Sequence, residues 1–461
     1  MRKVFRTILF FTLLAATGML LNHMTLNRKS EGCIQLADFY GLERDQADVL
    51  CIGSSHVYYG INTCQLYEDY GIASYLLASP GQPVWISYYL LEEALKTQTP
   101  ALTVLDIGTM YRKEEDFGAY SWETLISMKP SVTKWKAIQA VNQYGEFLDA
   151  VGAFLSFPYY HTRSFSLTSE DFNNTDEIRY LGYKPDFTVI SGKELAKWEK
   201  DPDRKLDESP ICGTEEPVTE RTEHYLRRFI ELCQEKEIPL LLVNSPFANQ
   251  VEEKRQADAY IQKIAEEYGV PLIEGNRLKE DMQIDFASDL LDASHLNYYG
   301  SLKYTRYLAD WMQSHVSLPD RREDISYGKW AQTGDLFWHQ EIFGKMLKET
   351  ESKEEYIQTL KKQPDGVSVV CWEQNDGMQV WKEGACVFQA SADRDCFKHI
   401  SLGASDLAVR CTDAEFTVLV DQQPYAFVEQ GVNILVYDEV AGRIIDGAGF
   451  AGDAREMQQF T

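Results

Sequence analysis

Over its first two thirds the chain alternates short apolar runs with longer stretches of helical periodicity. Asp48 to Ile52 is nearly continuous in apolar residues, ends at Gly53-Ser54-Ser55-His56, and is followed by the turn-prone Tyr59-Gly60-Ile61-Asn62. A run of this length bounded by turn residues predicts a buried strand. The same pattern recurs at 72–77, 102–107, 239–243 and 271–274. Between these runs, 65–70, 84–96, 218–236, 252–268 and 299–315 read as helices; in the second of them Ile86, Tyr89, Leu90, Ala94 and Leu95 fall on one side. Strand and helix in alternation predict an α/β fold, with five parallel strands in a three-layer α/β/α sandwich over 45–318.

Three regions depart from that rhythm. Residues 112–215 mix aromatics, charges and turns with weak periodicity, which predicts an insertion over the sheet rather than a structureless loop. Its segment Phe157-Pro158-Tyr159-Tyr160-His161-Thr162-Arg163 either packs or forms a lid whose His161 and Arg163 contact a polar substrate. Residues 319–362 are charged and helical in pattern, a connector. From 363 to 461 short strands separated by Gly and Asp turns predict a small β-rich domain.

The N-terminus, 1–25, is the most apolar part. Arg2, Lys3 and Arg6 precede a run from Thr7 to Leu21 without Asp or Glu. Basic residues before such a run favour a cytoplasmic N-terminus and an exported body. A span of about 20 residues is reached if Val4 to Met24 is counted. The absence of a small-x-small site after Leu21 favours an uncleaved transmembrane helix over a removed signal peptide. Polar residues 26–44 read as a tether.

A net charge of −26 argues against a nucleic-acid-binding surface, which needs clustered Lys and Arg. Nine cysteines include no Cys-x-x-Cys pair, so a zinc site is not indicated. No Gly-rich phosphate loop or metal-spaced His/Asp cluster calls for a cofactor or metal.

The chemistry-bearing residues lie at the ends of predicted elements. Ser54 and Ser55 follow the first strand, where an open α/β sheet presents its active groups. Far along the chain, Asp292-Ala293-Ser294-His295-Leu296-Asn297 places Asp and His three apart before a helix. A histidine whose second ring nitrogen is held by a carboxylate activates a serine hydroxyl, a poor nucleophile at its own pKa. Read singly, Ser54 is a helix cap, Asp292 a loop cap and His295 a surface histidine; their joint occurrence is what points to catalysis.

Gly53-Ser54-Ser55 together with the late Asp292-x-x-His295 resembles the SGNH (GDSL-like) hydrolases and acyltransferases, in particular the membrane-tethered branch that includes the teichoic acid D-alanine transfer protein and alginate O-acetylation proteins. The resemblance covers 45–316 and implies a flavodoxin-like sandwich. It also implies a nucleophile at Ser55, a base at His295 and an orienting carboxylate at Asp292. Oxyanion donors would come from the Ser55 and Gly81 backbone N–H groups. The family's Gly-x-Asn-Asp block would fall on Gly108-Thr109-Met110-Tyr111, so its asparagine is missing, with Asn244 or Thr109 as substitutes. His56, Tyr58, Tyr111 and Asn297 are further candidates for the pocket. The resemblance implies action on acyl esters of a cell-surface or exported polysaccharide, at an extracytoplasmic site, with a membrane-bound acyltransferase as a candidate partner. The rival is a non-catalytic polymer-binding protein on the same fold. Gly431 to Asp438, with Gly442 to Asp446 and Gly449-Phe450, resembles the interleukin-like EMT-inducer domain; that implies a carbohydrate- or partner-binding module, the alternative being a generic β-sandwich.

Overall fold

Five short strands, the first four buried along their length and the edge strand buried only at its centre, form one parallel sheet: β1 (Val49–Gly53), β2 (Ser74–Ala78), β3 (Leu102–Asp106), β4 (Leu240–Asn244) and β5 (Leu272–Glu274). Their order is β2-β1-β3-β4-β5, every pairing parallel. Strands buried on both faces read as continuous apolar runs rather than alternating ones, which is why they stand out in the sequence. The order reverses between β1 and β3, and the crevice beyond the carboxyl ends of those strands is where open α/β sheets bind ligands.

The computed structural model describes residues 2–25, 30–113, 118–141, 147–155, 180–199, 217–249, 251–403, 405–413 and 415–456. His161 and Arg163 lie outside them. The chain divides into two units, Met1–Ala331 and Gln332–Thr461. In the first, the helices Val84–Ala94, Glu220–Glu235 and Glu252–Tyr268 contribute Ile86, Leu90, Phe229, Ile230 and Ile261 to one core with Leu50, Ile52 and Leu105.

The tether and the first part of the connector, up to Ala331, both read from their polarity as linkers, belong to this unit. Within the tether, Glu31–Phe39 is a helix whose Leu36 and Phe39 enter the core. Beyond 318, Arg321 forks onto both oxygens of Asp48 at 2.8 Å, and Trp330 is buried with its indole N–H on the Ser74 carbonyl at 3.0 Å. Single anchors of this kind leave the surrounding charge pattern unchanged, so composition does not reveal them.

The N-terminal helix Arg2–Thr25 contains Val4–Asn22, 19 residues of mean hydropathy 1.9, none of it buried. By length and composition it is apolar enough to cross a membrane or to act as a signal sequence.

The second unit is antiparallel. One sheet has six strands, β6 (Val367–Glu373), β7 (Gly377–Lys382), β8 (Ala385–Ser391), β13 (Val432–Asp438), β14 (Arg443–Ala451) and β15 (Ala454–Glu456). The other has β9 (Cys396–Leu402), β10 (Ser405–Thr412), β11 (Glu415–Val420) and β12 (Gln423–Tyr425). Val370, Trp372, Leu435 and Tyr437 pack against Leu407, Val409 and Val418 of the second sheet. On the opposite face Val369, Ile434 and Val436 meet Phe343, Leu347 and Tyr356. Strands β6 and β13 are thus covered on both sides, the reason their sequences are apolar without alternation.

Candidate active site

The end of β1 is held by a buried carboxylate on the neighbouring strand. Asp106, the last residue of β3, accepts the Ser54 N–H at 3.2 Å, the Ser54 hydroxyl at 2.7 Å and the Gly108 N–H at 2.9 Å. Ser54 is fully buried, and its oxygen accepts the His56 N–H at 3.4 Å, capping the short helix Ser55–Gly60. Ser54 therefore supports the turn that presents Ser55. We expect Asp106→Ala to strand three buried donors and to cost at least about 3 kcal/mol, at 1–3 kcal/mol for each unmade bond. A fall in the urea midpoint with an unchanged m-value would show it, and an unchanged midpoint would refute it.

The loop opposite is built with equal economy. A bridge between Leu290 and Leu296 and the Leu291 N–H on the His295 carbonyl at 2.9 Å close it into a tight turn. Asn297, one of the pocket candidates, is buried instead. Its oxygen caps the helix Tyr298–His315 through the Gly300 N–H, and its amide nitrogen donates to the carbonyls of Thr188, Ser288 and Leu290. Ser245 and Phe247 follow β4, and the Ala248 and Asn249 N–H groups donate to the Ala293 carbonyl, docking that segment on the same loop.

These elements bring Ser55, His295 and Asp292 together. Ser55 Oγ lies 2.8 Å from His295 Nε2. His295 Nδ1 lies 3.0 and 2.9 Å from the two oxygens of Asp292. Asp292 Oδ1 also accepts the Ser294 and His295 N–H groups at 2.7 and 3.0 Å. Burial alone would push the Asp292 carboxyl up. The hydrogen bond from the His295 ring, the attraction of that ring and the two backbone N–H groups outweigh it, and the pKa falls below its ordinary value. An ionised Asp292 accepts the hydrogen bond of Nδ1–H, which fixes the ring proton there and leaves Nε2 as the acceptor for the Ser55 hydroxyl.

Around this line, the Tyr59 ring lies tilted 5.2 Å from the His295 ring, while Tyr58 is buried beside Tyr59 and Tyr111 packs partly buried against the core. His56 sits 5.4 Å from His295, its Nδ1 3.0 Å from Ser245 Oγ. Gly81 adopts φ +55°, a conformation that favours glycine, in the turn after β2. The Ser79 N–H at the start of that turn reaches the Gly53 carbonyl at 3.3 Å. Among the described residues neither the Ser55 nor the Gly81 N–H has a protein acceptor. Thr109 and Asn244 differ from expectation: the Thr109 hydroxyl donates to the Gln82 carbonyl, and the Asn244 amide, fully buried, donates to Asp258. Both are spent inside the fold. Among the described residues no group of three or more His, Cys, Asp or Glu is arranged to hold a metal ion.

No family model matches the chain, and no curated protein does. Among solved structures it is similar to a Bacteroides fragilis protein described as an acylhydrolase, at 11% identity and a TM-score of 0.31, over 60% of this chain and 93% of that one. It is also similar to a GDSL-like lipase of Bacteroides thetaiotaomicron, at 10% identity and 0.31, over 61% and 96%. A third is a Parabacteroides merdae protein described as a GDSL-like lipase, at 13% and 0.27, over 62% and 98%. These likenesses are remote.

Proposed function

We propose that this chain is an SGNH-type serine esterase or O-acyltransferase. The observation that carries the reading is the continuous line from Ser55 Oγ through His295 to Asp292, at 2.8 Å and 2.9–3.0 Å. Ser55 Oγ attacks the acyl carbonyl carbon while its proton passes to His295 Nε2. The carbonyl oxygen becomes an oxyanion held by the free N–H groups of Ser55 and Gly81. As the ester bond breaks, the imidazolium returns that proton to the leaving alcohol, and Asp292 stabilises the charge on the ring throughout. Water or a sugar hydroxyl then gives its proton to His295 and attacks the acyl-serine, which yields hydrolysis or transfer respectively.

The substrate class we propose is acyl esters of a cell-surface or exported polysaccharide, with a membrane-bound acyltransferase as a partner that supplies acyl groups in the transfer case. The apolar Val4–Asn22 helix after Arg2, Lys3 and Arg6 supports a membrane-anchored body on the extracytoplasmic side. Protease added to intact cells is expected to digest the body, and full protection would overturn that topology.

A fluorophosphonate probe tests the chemistry, since it phosphonylates only an activated serine. The full-length chain in detergent is expected to take the label on the peptide containing Ser55. Failure to label, with no esterase turnover, would leave the alternative of a polymer-binding protein that retains the fold.

A further inference from the structure

We propose that His56 is a third oxyanion donor, through its Nε2–H, in place of the side-chain amide that the loop after β3 lacks. The proposal rests on the esterase reading above and concerns the same site.

The loop Gly108-Thr109-Met110-Tyr111 carries no amide side chain, and Thr109 and Asn244 are committed elsewhere. His56 directly follows Ser55 and is 9% exposed. Its ring is wedged edge-on between His295 and Phe247, each 5.4 Å away. A Cβ at position 108 would lie 3.1 Å from His56 Nδ1 and 2.9 Å from Asp106 Oδ1, so the close approach of that loop favours glycine.

The tautomer follows from who can donate to whom. Ser245 is buried, and among the described residues its hydroxyl has no partner but His56 Nδ1 at 3.0 Å. The Ser245 hydrogen therefore goes to Nδ1, since the reverse arrangement would strand a buried O–H. The ring proton then sits on Nε2. That atom has no protein partner among the described residues and is not among the fully enclosed unpaired atoms, and the ring that carries it lies 5.4 Å from the His295 ring.

The charge state suits the role. Burial lowers the His56 pKa to about 4; Asp106 opposes this, while His295, Lys254 and Arg112 add to it. The ring stays neutral at neutral pH, offering an N–H without placing a second cation beside His295, which must itself become an imidazolium during acyl transfer.

The test compares wild type, His56→Phe and His56→Gln as full-length chains in p-nitrophenyl acetate hydrolysis and in the rate of fluorophosphonate labelling. Phenylalanine keeps the ring packing and removes both nitrogens. We expect kcat to fall by about 10²–10³-fold, the effect of losing one oxyanion donor, with KM within about twofold and labelling slowed in parallel. Glutamine, whose amide reaches the Nε2 position, is expected to stay within about tenfold of wild type. A folded His56→Phe chain with wild-type kcat and labelling would overturn the proposal while leaving the esterase reading intact. If His56→Phe does not fold, His56→Gln decides: a folded chain that loses more than about 10²-fold overturns the donor role. A wild type that neither hydrolyses nor labels would overturn both.

Discussion

Ser55→Ala is expected to lower kcat for p-nitrophenyl acetate by on the order of 10⁶-fold, the loss seen when the nucleophile of a serine triad is removed. That corresponds to about 8 kcal/mol of transition-state stabilisation. The size follows from the geometry: the Ser55 hydroxyl is the group facing His295 Nε2 at 2.8 Å, so its loss removes the covalent path rather than weakening one contact. A residual rate on the order of 10³–10⁴ over water is expected from oxyanion donors and binding alone. The fold should be indifferent to the change. Ser55 is only partly buried, and the turn beneath it is held by Ser54 and Asp106, whose bonds the substitution leaves in place. Equal rates for wild type and a folded Ser55→Ala chain would leave only the binding reading. A variant that loses activity together with its thermal transition would instead place Ser55 in the structural network.

How much of this was legible in the sequence depends on whether a residue's role is local. Strands β1 to β5 were, because a buried parallel strand writes its environment into consecutive residues. The serine and the Asp292-x-x-His295 turn were also legible, since each half of the site is a short motif at the end of an element. Strands β7, β9 and β10 were not: residues such as Gln379, Lys398 and Arg410 break the apolar pattern on faces left partly open. Partnerships across long separations were invisible for a different reason. Asp106 holds Ser54 from 52 positions away, and Ser245 meets His56 across 189. Neither carboxylate nor hydroxyl advertises its partner in its own neighbourhood. Asn297 shows the converse error, since a polar residue two places after His295 reads as pocket although its amide is consumed in capping a helix and closing the loop. A serine following β4 at the carboxyl edge of the sheet was the one local signal that could have drawn attention to the support of His56.

Asp292→Asn is expected to cost about 10⁴-fold in kcat with little change in KM, the consequence of the wrong imidazole tautomer. The amide oxygen keeps the place of Oδ1 and still accepts the Ser294 and His295 N–H groups, so the turn keeps its shape. The amide nitrogen stands where Oδ2 lay, 2.9 Å from Nδ1. The amide N–H donates to Nδ1, while the oxygen at the Oδ1 place is already taken by the two backbone N–H groups, so the ring proton moves to Nε2 and the Ser55 hydroxyl loses its acceptor. The stability difference between the chains has a definite sign. In the folded wild type the Asp292 pKa lies below its unfolded value, because the hydrogen bonds and attraction from His295 and the backbone N–H groups outweigh burial. Its contribution is therefore present above the ordinary carboxylate pKa of about 3.9 and is lost as pH falls through the depressed folded value. Urea midpoints should differ most near neutral pH and converge in acid. A kcat near wild type for the asparagine variant would show that the serine does not depend on this carboxylate. Midpoints that diverge further in acid would show that Asp292 is not held ionised by the turn.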